Sequence, residues 1–205
     1  MLAELTIAEL LEQTAAGTPV PGGGSLSAMA AAAGAALAQM VAGLTAGRPR
    51  YADADPAMKK LIASAERLRK DLLAAMDRDA AAYARVMAAL KLPMTNDREK
   101  ALRAEAVQEA TREAARVPLS VAEMALEVMA LAQTAVRLGN PNALSDGAVG
   151  AFLARAGLRG ALCNVRINLQ NIRDDAFVAR MREKTADLED RAADLEGAIL
   201  ADINL

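Results

Sequence analysis

Between Glu12 and Arg48 the chain carries no charged residue, and positions 25–45 are filled by Ala, Gly, Ser, Leu, Met, Val, Gln and Thr. An apolar run without a polar stripe predicts a helix buried on all sides in a bundle. Leu2, Leu5, Ile7, Leu10 and Leu11 outline a short amphipathic helix over 2–16. Asp55-Pro56 reads as an N-cap with proline at the first helical position. From there Met58, Leu61, Ile62, Ala65, Leu68, Leu72, Met76, Tyr83 and Val86 recur at helical spacing, predicting a helix to about Leu90. Residues 91–96 form a loop in which Thr95 or Asn96 caps the next helix, running from Asp97 towards Leu138. Pro118 inside it should kink or break it near Arg116. Residues 139–146 are a second loop with Ser145 as the N-cap; helix follows to about Asn171 and, after a break near Asp174-Asp175, on to Ile203. Gly147, Gly150, Gly157 and Gly160 would let a neighbouring helix approach closely, and the charged tail from Met181 reads as a surface or dimer-edge helix. The expected fold is all-α: one bundle of about five to seven helices over 1–205, with no internal repeat or domain boundary.

Composition sharpens this picture. Apolar residues make up 54% of the chain but aromatics only 2%, and there is no Trp, so the core must be Ala, Leu, Val and Met between closely packed helices. A net charge of −2 gives no footing for nucleic acid or an anionic membrane. Ser25 to Thr45 is long enough to span a bilayer, but its Ala and Gly carry little transfer energy and polar residues interrupt it, so no membrane partner is expected. The N-terminus lacks the cationic stretch of a signal peptide. The single Cys163 excludes an internal disulfide, suits the cytoplasm and reads as a small core residue. With no His in the chain, Ser-His-Asp and Cys-His catalysis and His metal sites are excluded. Acid–base work then falls to carboxylates, Lys, Tyr, Cys or water.

Several clusters could carry chemistry. In Pro21-Gly22-Gly23-Gly24-Ser25 the glycines precede a helix that Ser25 would cap. The cluster suits either an anion or polar ligand at free N–H groups, or a tight turn that lets two helices pack. No Lys follows as a phosphate loop would require. Arg48 and Arg50, held apart by Pro49 beside Tyr51, suit a ligand carboxylate or phosphate, or simply form a solvated turn. Asn164, Asn168, Asn171 and Asp175 share a helix face among apolar residues, either as an interhelix network or as readers of a heterocycle's donors and acceptors. Asp77, Asp79, Asp146 and Asp174 are candidate acid–base groups, or caps and surface charges.

In order, Thr18-Pro-Val-Pro-Gly-Gly-Gly-Ser25, Gly47-Arg-Pro-Arg-Tyr51, Asp79 to Tyr83, Val117-Pro118-Leu119, Gly139-Asn140 with Ser145-Asp146, Asn164-Val-Arg-Ile-Asn168 and Asp174 resemble the cyclodeaminase/cyclohydrolase family. That family includes the C-terminal domain of formiminotransferase-cyclodeaminase and stand-alone methenyltetrahydrofolate cyclohydrolase. The Arg-Pro-Arg turn departs from the Lys-rich run common in the family. The resemblance implies hydrolysis of 5,10-methenyltetrahydrofolate to 10-formyltetrahydrofolate, with no metal and no cofactor beyond the tetrahydrofolate substrate. Alternatives are a formiminotetrahydrofolate cyclodeaminase releasing ammonia, and a non-catalytic helical dimeric scaffold. It implies Asp146 as the first acid–base carboxylate and Asp79 as the second. Asn140, Asn164 and Asn168 would hold the pterin, with Tyr51 and Ser145 also in contact with substrate. Pro21, Gly22, Gly23, Gly24 and Ser25 would wall the pocket, and Arg48 and Arg50 would take the glutamate carboxylates. A homodimer is expected.

Overall fold

The computed structural model of the protein describes residues 1–203. Among these residues there are six α-helices and no strand. They are α1 (Ile7–Ala15), α2 (Gly23–Thr45), α3 (Asp55–Leu90), α4 (Asp97–Leu138), α5 (Leu144–Leu169) and α6 (Asp175–Asp202). Helices α2 to α5 run up, down, up and down, because each short loop reverses the chain. Ser25 of α2 therefore meets Met76 of α3, and Asn168 of α5 meets Ala114 of α4. Helix α6 lies outside, antiparallel to α5, tied to it by Arg155–Glu196 and Arg166–Glu189.

The core follows from composition. Ala28, Ala31, Ala35 and Ala38 of α2 and Ala151, Ala154 and Ala161 of α5 are buried, with Leu68, Leu72, Met76, Met129, Leu158 and Leu162 filling the larger spaces. Helices α2 and α5 come so close that a Cβ on Gly157 would lie 2.6 Å from the Ser27 carbonyl oxygen, and one on Gly34 would overlap the Gly150 carbonyl. Glycine is required there by contact with backbone, which cannot move aside as a side-chain tip can.

Several helix boundaries differ from the sequence pattern. Residues 2–16 are not one helix: Leu2–Glu4 is a 3-10 turn, and Thr6 opens α1 with a capping box to Glu9 that the apolar spacing could not reveal. Only Leu10 of α1 is buried; Ile7 and Leu11 face solvent. Gly22, not Ser25, is the N-cap of α2, and Ala54 rather than Asp55 precedes α3. The Asp55 carboxylate instead accepts from the Gly47 N–H at 2.7 Å and pairs with Lys59. Asn96 caps α4, and Asp174 caps α6. Ala143, not Ser145, precedes α5, because Asn140-Pro-Asn-Ala143 makes its own 3-10 turn. Helix α4 continues unbroken through Pro118. Helix α2 is not buried on all sides either: Ala33, Ala36, Met40, Gly43 and Leu44 are exposed. By length and composition α2 and α4 could each cross a membrane, but about half of each apolar window is buried against the other helices.

Gly157→Ala should destabilise the fold, by about 1–3 kcal/mol if overpacking sets the scale. Gly197→Ala on α6, where a Cβ meets nothing within 4 Å, should stabilise it by up to about 1 kcal/mol. Urea unfolding of both variants measures the contrast.

Candidate active site

The glycine segment enters α2 beside the middle of α3, and this end of the bundle holds a cleft of about 310 Å³. Helices α3 and α4 extend past the start of α2 as a hairpin, closed by the small apolar contacts of Ala82, Val86, Ala114 and Val117. The cleft lies between that hairpin, the Pro19–Gly24 segment and the C-terminal turns of α5. Gly22, Gly23, Gly24, Asp79, Asn164 and Asn168 line it. Pro19, Val20, Ala82, Tyr83, Val86, Ala114 and Ile167 line it too. Tyr83 and Val86 share the apolar periodicity of α3, and nothing in that pattern distinguishes a cleft-facing position from a core one.

Asp79 is the centre of the cleft's chemistry. Gly24 in the first turn of α2 has no side chain because one would overlap the Asp79 carboxylate. The carboxylate thus sits against the N-terminus of α2, where free N–H groups favour negative charge. The hydroxyl of buried Ser25 lies 3.0 Å from both Asp79 Oδ2 and the Met76 carbonyl oxygen. One hydroxyl hydrogen faces two acceptors. The Ser25 hydroxyl therefore divides its single hydrogen between the Met76 carbonyl and the Asp79 carboxylate. Burial pushes the Asp79 pKa up, while hydrogen bonding from Ser25 pulls the other way. A carboxyl whose pKa is raised by burial holds its proton more readily than an ordinary carboxylate, which suits it to proton transfer.

Asn164 and Asn168 project from successive turns of α5. The Asn164 Nδ2 donates to the Gly160 carbonyl at 2.9 Å, and the Asn168 Nδ2 donates to the Ala114 carbonyl at 2.7 Å. One N–H of each amide is thereby held by the protein, and each Oδ1 remains available as an acceptor for a ligand. The amide face ends there: α5 stops at Leu169, so Asn171 falls in the following turn and Asp175 starts another helix. Ile167, an apolar neighbour of the two asparagines, is exposed in the cleft, and Cys163 is exposed rather than a core residue.

The remaining expected site residues lie elsewhere. Pro21 is buried and follows a cis peptide bond, and it does not line the cleft. Ser25 stands behind Asp79 rather than in the wall. Arg48, Arg50, Tyr51, Asn140, Ser145 and Asp146 gather at the opposite end of the bundle. They are separated from the glycine wall by the 23 residues of α2, about 33 Å of helix. There the Tyr51 hydroxyl donates to Asn140 Oδ1 at 3.0 Å, the Asn140 N–H donates to Thr45 Oγ1, and the Arg50 guanidinium lies over the Tyr51 ring. Asp146 in the first turn of α5 is therefore not in the Asp79 cleft of its own chain. Spacing along the chain could not show which loops share an end, because that depends on which helices pair.

Residues 6–187 match the sequence profile of the formiminotransferase-cyclodeaminase family. A methenyltetrahydrofolate cyclohydrolase from Methylorubrum extorquens is 38% identical over 194 residues, covering 95% of this chain and 88% of that protein. The formimidoyltransferase-cyclodeaminase of Rattus norvegicus is 34% identical over 202 residues; the match spans 98% of this chain but only 37% of the rat protein. The crystal structure of a formiminotetrahydrofolate cyclodeaminase from Thermotoga maritima superposes with a TM-score of 0.89 at 28% identity, covering 99% of this chain and 98% of that one.

The raised pKa of Asp79 has a consequence for stability. The folded state holds its proton more tightly than the unfolded chain, so this carboxyl favours folding at low pH. That contribution is lost as pH rises from the unfolded carboxylate range through the folded value. Asp79→Asn removes the buried charge and should raise the urea midpoint at neutral pH, with the gain shrinking towards pH 3–4, about the ordinary carboxylate range.

Proposed function

The chain belongs to the formiminotransferase-cyclodeaminase family, and from that footing we propose that it hydrolyses 5,10-methenyltetrahydrofolate to 10-formyltetrahydrofolate. The observation that carries the reading is Asp79, a half-buried carboxyl with a raised pKa at the floor of a cleft whose other polar groups are amides. In this reading the cationic amidinium of the substrate lies over the cleft and draws Asp79 into its ionised form. Asp79 takes a proton from water as the water oxygen bonds to the bridging carbon. The resulting tetrahedral carbon then loses its bond to N5, whose electron pair receives the proton from Asp79. The adduct's hydroxyl proton passes to solvent as the formyl group forms on N10. Water and folate are the only reactants this scheme requires. The amide oxygens of Asn164 and Asn168 suit the N–H-rich edge of a pterin.

A cyclodeaminase activity is the second reading, favoured by the full-length match to the Thermotoga structure. The same carboxyl would then shuttle protons at a tetrahedral carbon that expels ammonia. Loss of the near-ultraviolet absorbance of methenyltetrahydrofolate above the uncatalysed rate, without ammonia release from formiminotetrahydrofolate, would support the cyclohydrolase. The reverse pattern would support the cyclodeaminase, and inactivity on both would leave a helical scaffold. Asp79→Asn should lower kcat by about a hundredfold or more, the usual worth of a positioned acid–base group. Near-normal turnover would remove Asp79 from the mechanism.

We also propose that the working unit is a homodimer. Among the exposed or half-exposed positions of α2, Leu26, Met29, Ala30, Ala33, Ala36, Leu37, Met40, Gly43 and Leu44 form an uncharged stripe with a repeat of about 3.5 residues, with Gly23 and Gln39 the others. Small residues near its middle suit close two-fold packing. Antiparallel pairing of this stripe with a second copy would bring the second copy's Arg48 and Arg50 towards the glycine wall of the first. The two ends of α2 would then serve one site through different subunits. Asp79→Asn and Arg48→Glu/Arg50→Glu proteins, each impaired alone, should on mixing and subunit exchange recover roughly a quarter of wild-type sites. No recovery despite exchange would place all functional groups within one subunit.

A further inference from the structure

Pro118 is buried in the middle of α4, is not among the residues lining the cleft, and interrupts the helix's hydrogen bonding without ending the helix. A proline at 118 has no N–H to give the carbonyl four residues back, that of Ala114, and its ring crowds the same carbonyl. The Ala114 oxygen is the one that accepts the Asn168 Nδ2 hydrogen bond at 2.7 Å. The proline frees an acceptor on one helix, and an amide on another helix uses it.

We propose that Pro118 is a positioning residue for the folate site, acting through Asn168, an inference that rests on the function proposed above. Freed from its helix, the Ala114 carbonyl turns towards α5 and takes the amide nitrogen of Asn168. A carbonyl cannot accept from the other end of that amide, so the contact decides which way the side chain faces. With its nitrogen held there, the Asn168 Oδ1 would be offered to the cleft that Asn164 and Asn168 both line, and the Gly160 carbonyl holds the Asn164 nitrogen in a similar way. Two acceptors one helical turn apart select a ligand edge that carries N–H donors and disfavour one that carries carbonyl oxygens. With alanine at 118 the main-chain N–H would share the Ala114 oxygen and draw it back towards the axis of α4, weakening its hold on the Asn168 amide. A proline that is merely tolerated in the helix would have no such consequence.

The test uses Pro118→Ala together with Pro118→Val, which restores the N–H while keeping more of the buried volume. Alanine is much the better helix former, so the helix should not weaken where its hydrogen bond is restored. Both variants should lose about tenfold in kcat/KM for methenyltetrahydrofolate, mainly through KM, as expected for lost orientation of a binding group. Asn168→Ala should have a comparable effect, and adding Pro118→Ala to it should cost nothing more. Independently of activity, the Asn168 side-chain amide in the wild-type protein should show a hydrogen-bonded 15N–1H shift and slow hydrogen exchange, both lost in Pro118→Ala. Wild-type kcat/KM in the folded proline variants, additive effects in the double variant, or an unchanged Asn168 amide signal would each overturn the proposal. If the wild-type protein acts on neither folate, the functional reading fails while the amide measurement still decides whether Pro118 orients Asn168.

Discussion

Helices α2 and α5 pack almost backbone to backbone, and the site depends on that contact. Along their crossing a Cβ on Gly157 would stand 2.6 Å from the Ser27 carbonyl, and one on Gly160 would overlap the Ser27 hydroxyl. The intimacy is affordable only because both faces are Gly, Ala and Ser. With so few aromatic residues, the chain cannot fill wide spaces between helices and must close them instead. The close approach also brings Asn164 against Gly23, at 3.4 Å from where its Cβ would be, so one end of the helix pair becomes a polar wall.

That wall is built from groups that each serve another contact first. Ser25 bridges Met76 and Asp79, Gly24 makes room for a carboxylate, and both asparagine nitrogens are held by main-chain carbonyls. What remains for a ligand is limited and directional: a carboxyl held above its ordinary pKa and two amide oxygens, lined on the other side by Tyr83, Val86 and Ile167. Held in this way by the protein, such groups need little rearrangement when substrate charge develops or disappears. Keeping the Asp79 charge partly desolvated works against folding near neutral pH, a tension common at sites arranged for proton transfer.

The opposite end of α2 has a different character. Arg48 and Arg50 are exposed, and among the described residues neither forms an ion pair. Tyr51 and Asn140 lock this turn to the end of α2 through Thr45. A rigid cationic corner about 33 Å from the cleft cannot act on the same small ligand within one chain. The uncharged α2 stripe connects the two ends, and in the proposed homodimer its antiparallel pairing would offer a physical route to a single shared site.

The sequence by itself determined the helical class, the bounds of α3, the two ends of α4 though not its continuity through Pro118, the breaks near residues 91–96 and 170–174, and the glycine positions that permit close packing. Those features rest on local propensity, apolar period and turn residues, which need no knowledge of neighbours. It also marked Asp79, Asn164 and Asn168 as polar residues among apolar ones. Only the tertiary structure decided which of the marked residues meet. It set Asp79 in the cleft and Asp146 at the far end, made Ser25 a partner of Asp79 rather than a cap, and left Cys163 and Ile167 exposed. It also gave the Ala114 carbonyl, which loses its helical donor to Pro118, a partner on another helix. Helix pairing brings together residues as far apart in the chain as Ser25 and Met76 or Gly23 and Asn164, and a single chain's periodicity carries no record of that pairing.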